Sequence, residues 1–570
     1  MEQIEQREQK AQKSSNPLHP LNLLTILCLL AFGLRAGTLT AQSLWRDEVD
    51  ALCYSFQFPH AVAQALLPAW AGELHTPCAC PPAPPVEAAG EATVLQRLSQ
   101  VAGPMIHQNG PLYFFWLRGW IGLAGVSEYA LRFFSTWFGV LTVALTYALG
   151  RRLLGRAPGA LAALLTALSP YLVWYSQEVK MYTLLPALAL LAVYALQRAA
   201  VGGERGWWAV QVIATSLAFY THVWSALLLP VQALLLVTWW PRWRAHWHGA
   251  LVSLALLSLP YLPLALWQIP GAFVVRETGF PRETLVRMAL ILLNGWSTGI
   301  SGRALVSGAA LCGGSALLGL TWRPVAPAPV DRWHRLTAMA GLVGWIAIPL
   351  IGIWFVSLWQ PLFTDRYLIW TAPAFYLLAG AGLAALWRRL RYDALLPLAA
   401  ILIIGSANLY AQASTPIKPD MRAAARYVEA AYRPGDLLIF QIPHLRYTFD
   451  YYFGPADYAW VDGLFTNHRT EDGGYRMTEE EASAQMTQMT EGHSTVWLVA
   501  SETEMWDERH LVERWLVVHG QREAEAHFVL VDVTGYRLAE GRVTADGRAG
   551  CTAVRPAAAD TPWELKSARR

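Results

Sequence analysis

Charge is what this chain has least of. Asp, Glu, Lys and Arg make up 15% of its 570 residues, well under the roughly 25% of a soluble domain. With 54% hydrophobic residues, that scarcity excludes an ordinary soluble enzyme. Cysteine is scarce as well, and the six residues between Cys28 and Cys551 do not make a disulfide framework. Cys28 and Cys312 fall in apolar runs. Cys53, Cys78 and Cys80 share one segment, where Cys53 is expected to pair with Cys78 or Cys80 if that segment is outside the cell. The Cys78-Ala79-Cys80 spacing has no second pair and is a weak metal signature. No basic tract is present, and a net charge of +3 leaves no footprint for nucleic acid. Gly473-Gly474 lacks the spacing of a nucleotide-binding loop.

What is abundant is apolar sequence. Runs of about 20 residues, enough to cross a bilayer, recur from Leu21 to Gln412. Arg7, Lys10 and Lys13 precede the first run and no small-residue cleavage site follows it, so it reads as a retained signal anchor. Basic clusters occupy alternate gaps: Arg151/Arg152/Arg156, Arg198/Arg205, Arg242/Arg244, Arg323/Arg332/Arg335 and Arg388/Arg389/Arg391. The positive-inside rule makes these gaps cytoplasmic. Spans then fall at roughly 21–41, 131–150, 157–175, 181–199, 206–220, 222–240, 247–269, 303–321, 336–358, 367–387 and 393–412, about eleven crossings. The segment 111–125, with Arg118 and its aromatics, fits the charge pattern only as an interfacial helix on the outer leaflet.

The expected fold class is therefore a polytopic α-helical membrane protein with a small C-terminal α/β domain. Residues 1–20 form a cytoplasmic tail and 21–412 the transmembrane domain, whose first outer loop, 42–130, is long. Residues 413–540 form an extracytoplasmic α/β domain. Amphipathic patterns at 421–432, 478–489 and 504–519 alternate there with β runs at 436–441, 459–462, 495–500 and 527–533. Residues 541–570 are expected to be disordered. The setting is a bacterial plasma membrane, with the N-terminus inside and the C-terminal domain outside.

The polar residues suited to chemistry gather on the outer side. Asp47 and Glu48 follow the first span, and adjacent carboxylates at such a place must face water, a cation or a substrate. Glu178 and Lys180 stand in the next outer turn, His222 in a hairpin, and Arg366 in the turn before the tenth span. Two cations suit a phosphate, and a carboxylate beside them suits an attacking hydroxyl. Phosphates held at a membrane surface usually belong to lipids, so the set suggests group transfer from a lipid-linked donor. It would equally suit a transporter of a charged lipid or solute, whose discriminator is inverted repeats with helices broken at mid-membrane; no such repeat is visible. Each residue also has a plain structural reading. Asp47–Glu48 would cap a helix, Glu178 and Lys180 would pair at the surface, and His222 would satisfy backbone groups. Arg366 would pair with Asp365, and Arg132 would anchor a span.

The order of the motifs carries more than any one of them. Trp45-Arg46-Asp47-Glu48 and His107-Gln108-Asn109-Gly110-Pro111-Leu112-Tyr113 come first. Ser127-Glu128-Tyr129-Ala130-Leu131-Arg132-Phe133-Phe134-Ser135, Leu168-Ser169-Pro170 and Tyr175-Ser176-Gln177-Glu178-Val179-Lys180-Met181-Tyr182 follow. Tyr220-Thr221-His222 and Asp365-Arg366-Tyr367-Leu368 complete the set. This series resembles the membrane glycosyltransferases of the GT-C fold, in particular the bacterial branch related to dolichyl-phosphate-mannose-protein O-mannosyltransferases and aminoarabinose lipid A transferases. The resemblance implies a polyprenyl-phosphate-sugar donor and an acceptor hydroxyl on a glycan, lipid or protein, presented from the outer face. It implies Asp47 as general base with Glu48 beside it, and Glu178 and His222 orienting acceptor or metal. Lys180 and Arg366 would hold the donor phosphate, supported by Arg132, His107, Tyr182 and Tyr367. A divalent metal at Asp47, Glu48 and Glu178 is compatible with the set but not required by it, and no other cofactor is implied. The enzymatic rival is a lipid-linked oligosaccharide ligase or polymerase, which would use a pyrophosphate-linked donor.

Overall fold

The computed structural model describes residues 20–66, 80, 96, 110–244, 247–272, 280–323, 329–455, 457–470 and 472–538. The chain divides into a helical unit, up to Ile417, and a second unit from Lys418 onward.

The helical unit begins with α1 (Pro20–Ala36), α2 (Arg46–Leu66), α3 (Leu112–Ala124) and α4 (Glu128–Leu153). Next come α5 (Arg156–Leu168), α6 (Pro170–Ser176), α7 (Leu184–Ala200), α8 (Gly206–Phe219), α9 (Leu228–Trp243) and α10 (Trp247–Ala272). It ends with α11 (Leu285–Thr298), α12 (Leu305–Gly319), α13 (Pro329–Ser357), α14 (Ala372–Leu390) and α15 (Leu395–Ser414). A helix falls on each span expected from the sequence. Among the described residues four helical stretches are long and apolar enough to cross a membrane: Glu128–Leu153, Val223–Pro241, Leu336–Ser357 and Asp365–Ser414. A fifth arises if α5 and α6, bent by 56°, count as one. The α11 helix was not foreseen, because its 14 residues are too few for a span.

The segment 42–130, expected as one long outer loop, contains two helices among the described residues: α2, which Pro59 interrupts, and α3. The two pack through Tyr54, Phe58 and Phe114, with ring centroids 4.9–5.5 Å apart, and Arg118 lies 4.4 Å over Phe56. A disulfide joins Cys53 of α2 to Cys80. Gly110 begins α3's approach with φ +100°, where a Cβ would meet the Tyr220 carbonyl at 2.6 Å. The Leu112 amide donates to that same carbonyl at 3.0 Å, so the Gly-Pro-Leu segment is fastened to the Tyr220-Thr221-His222 turn.

Small residues let the helices of the core approach closely, as is usual where lipid gives helices no hydrophobic reason to associate. Gly382 of α14 faces the Ser315 carbonyl of α12, and Gly380 on the same helix faces Pro158 and Ala162 of α5.

The break between α5 and α6 explains the Leu168-Ser169-Pro170 motif. Ser169 caps α6 by accepting the Leu172 amide at 3.1 Å, and Pro170 takes the first helical position. Arg35 of α1, fully buried, holds the broken end. Its guanidinium donates to the Thr166 and Ala167 carbonyls at 3.2 and 3.0 Å, to Ala31 at 3.1 Å and to the Ser176 hydroxyl at 3.1 Å. A cation at the carbonyl end of α5 also suits that helix's dipole.

The second unit contains α16 (Met421–Ala431), β1 (Leu437–Phe440), α17 (Leu445–Asp450), β2 (Ala459–Asp462) and α18 (Glu479–Met489). It continues with β3 (Thr495–Ala500), α19 (Leu511–His519), β4 (Gly520–Phe528) and β5 (Val531–Leu538). The sheet order is β2-β1-β3-β5-β4, with β1 parallel to both its neighbours and β5 antiparallel to both of its own. Two expectations need correction. The run 527–533 is not one strand: it holds the end of β4, a turn at Val529-Leu530 where Leu530 has φ +56°, and the start of β5. Charged residues on edge strand β4 (Arg522, Glu523, Glu525) hid it from the apolar pattern. The helix expected from residue 504 begins at Leu511, because His510 has φ +53°.

Replacing Arg35 by Met removes the cation and strands three carbonyls. The expected cost is on the order of 3 kcal/mol, read as a lower denaturation temperature in detergent with the topology unchanged.

Candidate active site

The Asp47–Glu48 pair opens α2, where two carboxylates complement the helix's positive end. The structure turns them in different directions. Glu48 is fully buried and takes a bidentate grip from Arg132, Nε to Oε1 and Nη2 to Oε2, both 2.7 Å. Arg132 spends its remaining donors on the carbonyls of Leu39, Gln42 and Ser43 at 2.7–2.9 Å, so all five of its N–H groups are used. Glu48 also accepts the Val179 amide at 3.2 Å and the Trp45 amide at 3.4 Å. One carboxylate thus ties together the α1–α2 linker, α4 and the turn that carries Glu178 and Lys180. Glu48 was grouped with Asp47 for chemistry. In the structure both its oxygens are engaged, by Arg132 and by the Val179 and Trp45 amides.

Asp47 faces the other way. Its Oδ2 lies 3.2 Å from Nη1 of Arg366, and both side chains are about a quarter exposed (25% and 23%). Arg366 comes from the 3-10 turn Asp365–Thr371. Its guanidinium lies between the rings of Trp45 and Tyr182, 5.7 and 5.6 Å from their centroids. Its Nε is buried with no hydrogen-bond partner among the described residues. The alternative of an Arg366–Asp365 pair is not what forms: Asp365 accepts from the Tyr175 hydroxyl at 3.4 Å instead.

Lys180 is 8% exposed, and among the described residues its ammonium has no hydrogen bond or ion pair. Its charge reaches Asp50, a carboxylate that the sequence reading passed over. Asp50 stands three residues beyond Asp47 on α2, 3.7 Å from Arg46. Burial pushes its carboxyl up from the usual range; Lys180 and Arg46 pull it down, and Asp47 pushes it up again. The signal was the i, i+3 spacing, visible only once residues 46–66 are read as a helix.

Glu178 is buried within electrostatic reach of Arg366 and Tyr182. His222 is buried and caps the turn Val223–Leu227, its Nδ1 accepting the Trp224 amide at 3.3 Å. In the neutral ring this leaves the proton on Nε2. Its ring lies 4.9 Å from Tyr367 and 6.4 Å from Tyr182. The imidazole therefore supports the wall around Arg366, with its acceptor nitrogen already used rather than free to orient a metal. Among the described residues no three His, Cys, Asp or Glu side chains are grouped to hold a metal ion. His107 lies outside the described residues.

This architecture is that of the GT-C membrane proteins. A crystal structure of ArnT from Cupriavidus metallidurans in the apo state matches with TM-score 0.52 and 12% identity, over 90% of this chain and 97% of that one. The same protein bound to undecaprenyl phosphate matches with TM-score 0.50 and 12% identity over the same shares. The oligosaccharyltransferase of Archaeoglobus fulgidus, tethered to an acceptor peptide, matches with TM-score 0.50 and 12% identity over 91% of this chain and 74% of that one. Residues 108–267 match the family described as dolichyl-phosphate-mannose-protein mannosyltransferase. The chain is thus GT-C in fold, and the family match is confined to residues 108–267. No curated protein sequence matches it.

Glu48→Gln leaves the Arg132 guanidinium buried without its counter-charge, at an expected cost of about 3–5 kcal/mol. Asp47→Asn, at the partly exposed pair, should cost under about 1 kcal/mol. Thermal denaturation of the two purified variants reads the difference. A Glu48→Gln protein as stable as wild type but inactive would return Glu48 to the chemistry.

Proposed function

We propose that this chain is an integral membrane glycosyltransferase that moves a sugar from a polyprenyl-phosphate donor to an acceptor hydroxyl on the extracytoplasmic face. The observation that carries the reading is the pairing of Asp47 with Arg366, at the start of the helix whose Asp50 the charge of buried Lys180 reaches. A carboxylate held by one cation, with a second cation acting on the same helix, suits a base and the anchors of a leaving phosphate. The fold likeness to a protein crystallised with undecaprenyl phosphate agrees with this choice of donor.

The reaction is a single displacement. Asp47 takes the proton of the acceptor hydroxyl as its oxygen attacks the anomeric carbon. The bond from that carbon to the phosphate oxygen breaks, and polyprenyl phosphate leaves with the electron pair. One displacement inverts the anomeric centre. Arg366 and Lys180 hold the charge that grows on the leaving phosphate, and the unpaired Nε of Arg366 supplies a donor for one of its oxygens. Glu48 and Arg132 are positioning residues: they fix the turn bearing Lys180 against the helix bearing Asp47.

The resting ion pair adds a control on the base. While Arg366 is bound to Asp47, the carboxylate is engaged. A donor phosphate competes for the guanidinium and releases the carboxylate for the incoming hydroxyl, so the base becomes available only when the donor is seated. Because Asp47 competes with phosphate, removing its charge should not weaken lipid binding.

The test measures undecaprenyl phosphate binding alongside sugar transfer in purified protein. Asp47→Asn should lower turnover by about 10²–10⁴-fold while binding the lipid phosphate at least as tightly as wild type. Arg366→Ala should weaken that binding by about 10–100-fold, the worth of one or two charge-assisted hydrogen bonds. Full turnover by Asp47→Asn would end the base assignment, and unchanged affinity in Arg366→Ala would end the phosphate assignment.

A further inference from the structure

The second unit contains a feature that the transfer chemistry does not use. In its sheet, β1 lies between β2 and β3, all three parallel, so the chain leaves β1 toward one neighbour and later returns to its other side. That reversal opens a switch point at the carboxyl ends of β1 and β3, the usual place for a ligand in an open α/β sheet. Immediately beyond those ends stand two buried polar side chains. Gln441 follows β1 and is 1% exposed, and Ser501 follows β3 and is 4% exposed. Among the described residues the Gln441 Nε2 and the Ser501 Oγ have no hydrogen-bond partner. Gln441 is held at the sheet edge by its amide, which donates to Val499 at 3.0 Å.

Two orphaned polar groups at one edge are costly, of the order of 1–3 kcal/mol each, and such costs are kept where a ligand repays them. The surroundings define the ligand's chemistry. Gly463, just past β2, packs on Gln441 so tightly that a Cβ would lie 2.9 Å from the Gln441 Cα. The Gly463 carbonyl accepts the Trp506 indole N–H at 3.3 Å. Trp506 and Phe465, both half-buried, lie 4.5 Å apart, and His468 lies 4.6 Å beyond Phe465. The charges at these strand ends are of both signs: Asp462, which ends β2, lies within electrostatic reach of Arg446, and Arg446 lies 3.6 Å over the Trp460 ring. Asp507 is committed to Thr466 and the Val512 amide, and Arg509 donates to the Thr466 and Met477 carbonyls. The segment after β1, Gln441-Ile442-Pro443-His444-Leu445-Arg446, has no glycine to cradle a phosphate. A neutral ligand with hydroxyls on one side and a C–H face on the other suits this set, and a sugar ring has that form.

We propose that the second unit binds a neutral sugar at the carboxyl ends of β1, β2 and β3, with Gln441 and Ser501 hydrogen-bonding its hydroxyls and the Trp506–Phe465 pair packing its apolar face. The site would hold a glycan apart from the reacting atoms. It does not depend on the transferase assignment, because no lipid donor takes part in binding.

The test uses the full chain in detergent with methyl glucoside, methyl galactoside, methyl mannoside and N-acetylglucosamine as probes, by saturation-transfer NMR. At least one probe is expected to bind wild type and Arg366→Ala alike, and to bind Gln441→Met/Ser501→Ala about tenfold or more weakly, as when hydroxyl recognition is removed. The same double variant should denature at a temperature no lower than wild type, since it deletes unsatisfied polar atoms. Absence of binding by all four probes to wild type, or equal binding by the double variant, would overturn the proposal. So would a double variant less stable than wild type, which would mark Gln441 and Ser501 as structural groups satisfied by buried water.

Discussion

The helical unit depends on one buried ion pair. Arg132 and Glu48 neutralise each other out of reach of water, with every guanidinium N–H bonded and Glu48 taking two backbone amides besides. Pairs of this kind are expensive to bury and more expensive to break, so they specify an arrangement as much as they stabilise it. Here the arrangement brings three stretches distant in sequence to one place: the linker after α1, the start of α4 and the turn at Val179. Asp47 and Lys180 are neighbours in chain of the two groups so fixed. The pair therefore settles where the exposed carboxylate and the second cation stand, without touching substrate itself.

A second constraint comes from the other side. Arg366 arrives on its own turn, walled by Trp45 and Tyr182, and His222 and Tyr367 fill the space behind. The wall is aromatic, and the Asp47–Arg366 pair it surrounds is partly exposed where the Glu48–Arg132 pair is buried.

Much of this was legible in the residues. Helices lie on every expected span because long apolar runs at bilayer length leave few other folds. The motifs around Asp47, Lys180, His222 and Arg366 fall on one helix end and three turns. What the sequence hid has physical causes. The split between Asp47 and Glu48 depends on which of them meets Arg132, a contact across 84 positions. Asp50 escaped notice because residues 42–130 read as one long loop, although Val49, Leu52, Cys53 and Phe56 recur at helical spacing. Arg35 could have been noticed as a charge inside an apolar run, which is a functional or structural signal by default. In the second unit, edge strand β4 escaped notice because its exposed face is charged, and Gln441 and Ser501 follow no motif at all.

The central claim is that a lipid monophosphate is the leaving group at Asp47 and Arg366. Its most direct test is to incubate the purified chain with radiolabelled polyprenyl-phosphate sugars and an acceptor extract, then follow the label and the anomeric configuration of the product. The account predicts that one monophosphate-linked sugar loses its label to acceptor with inversion. Retention of configuration, or consumption only of a pyrophosphate-linked glycan, would contradict it.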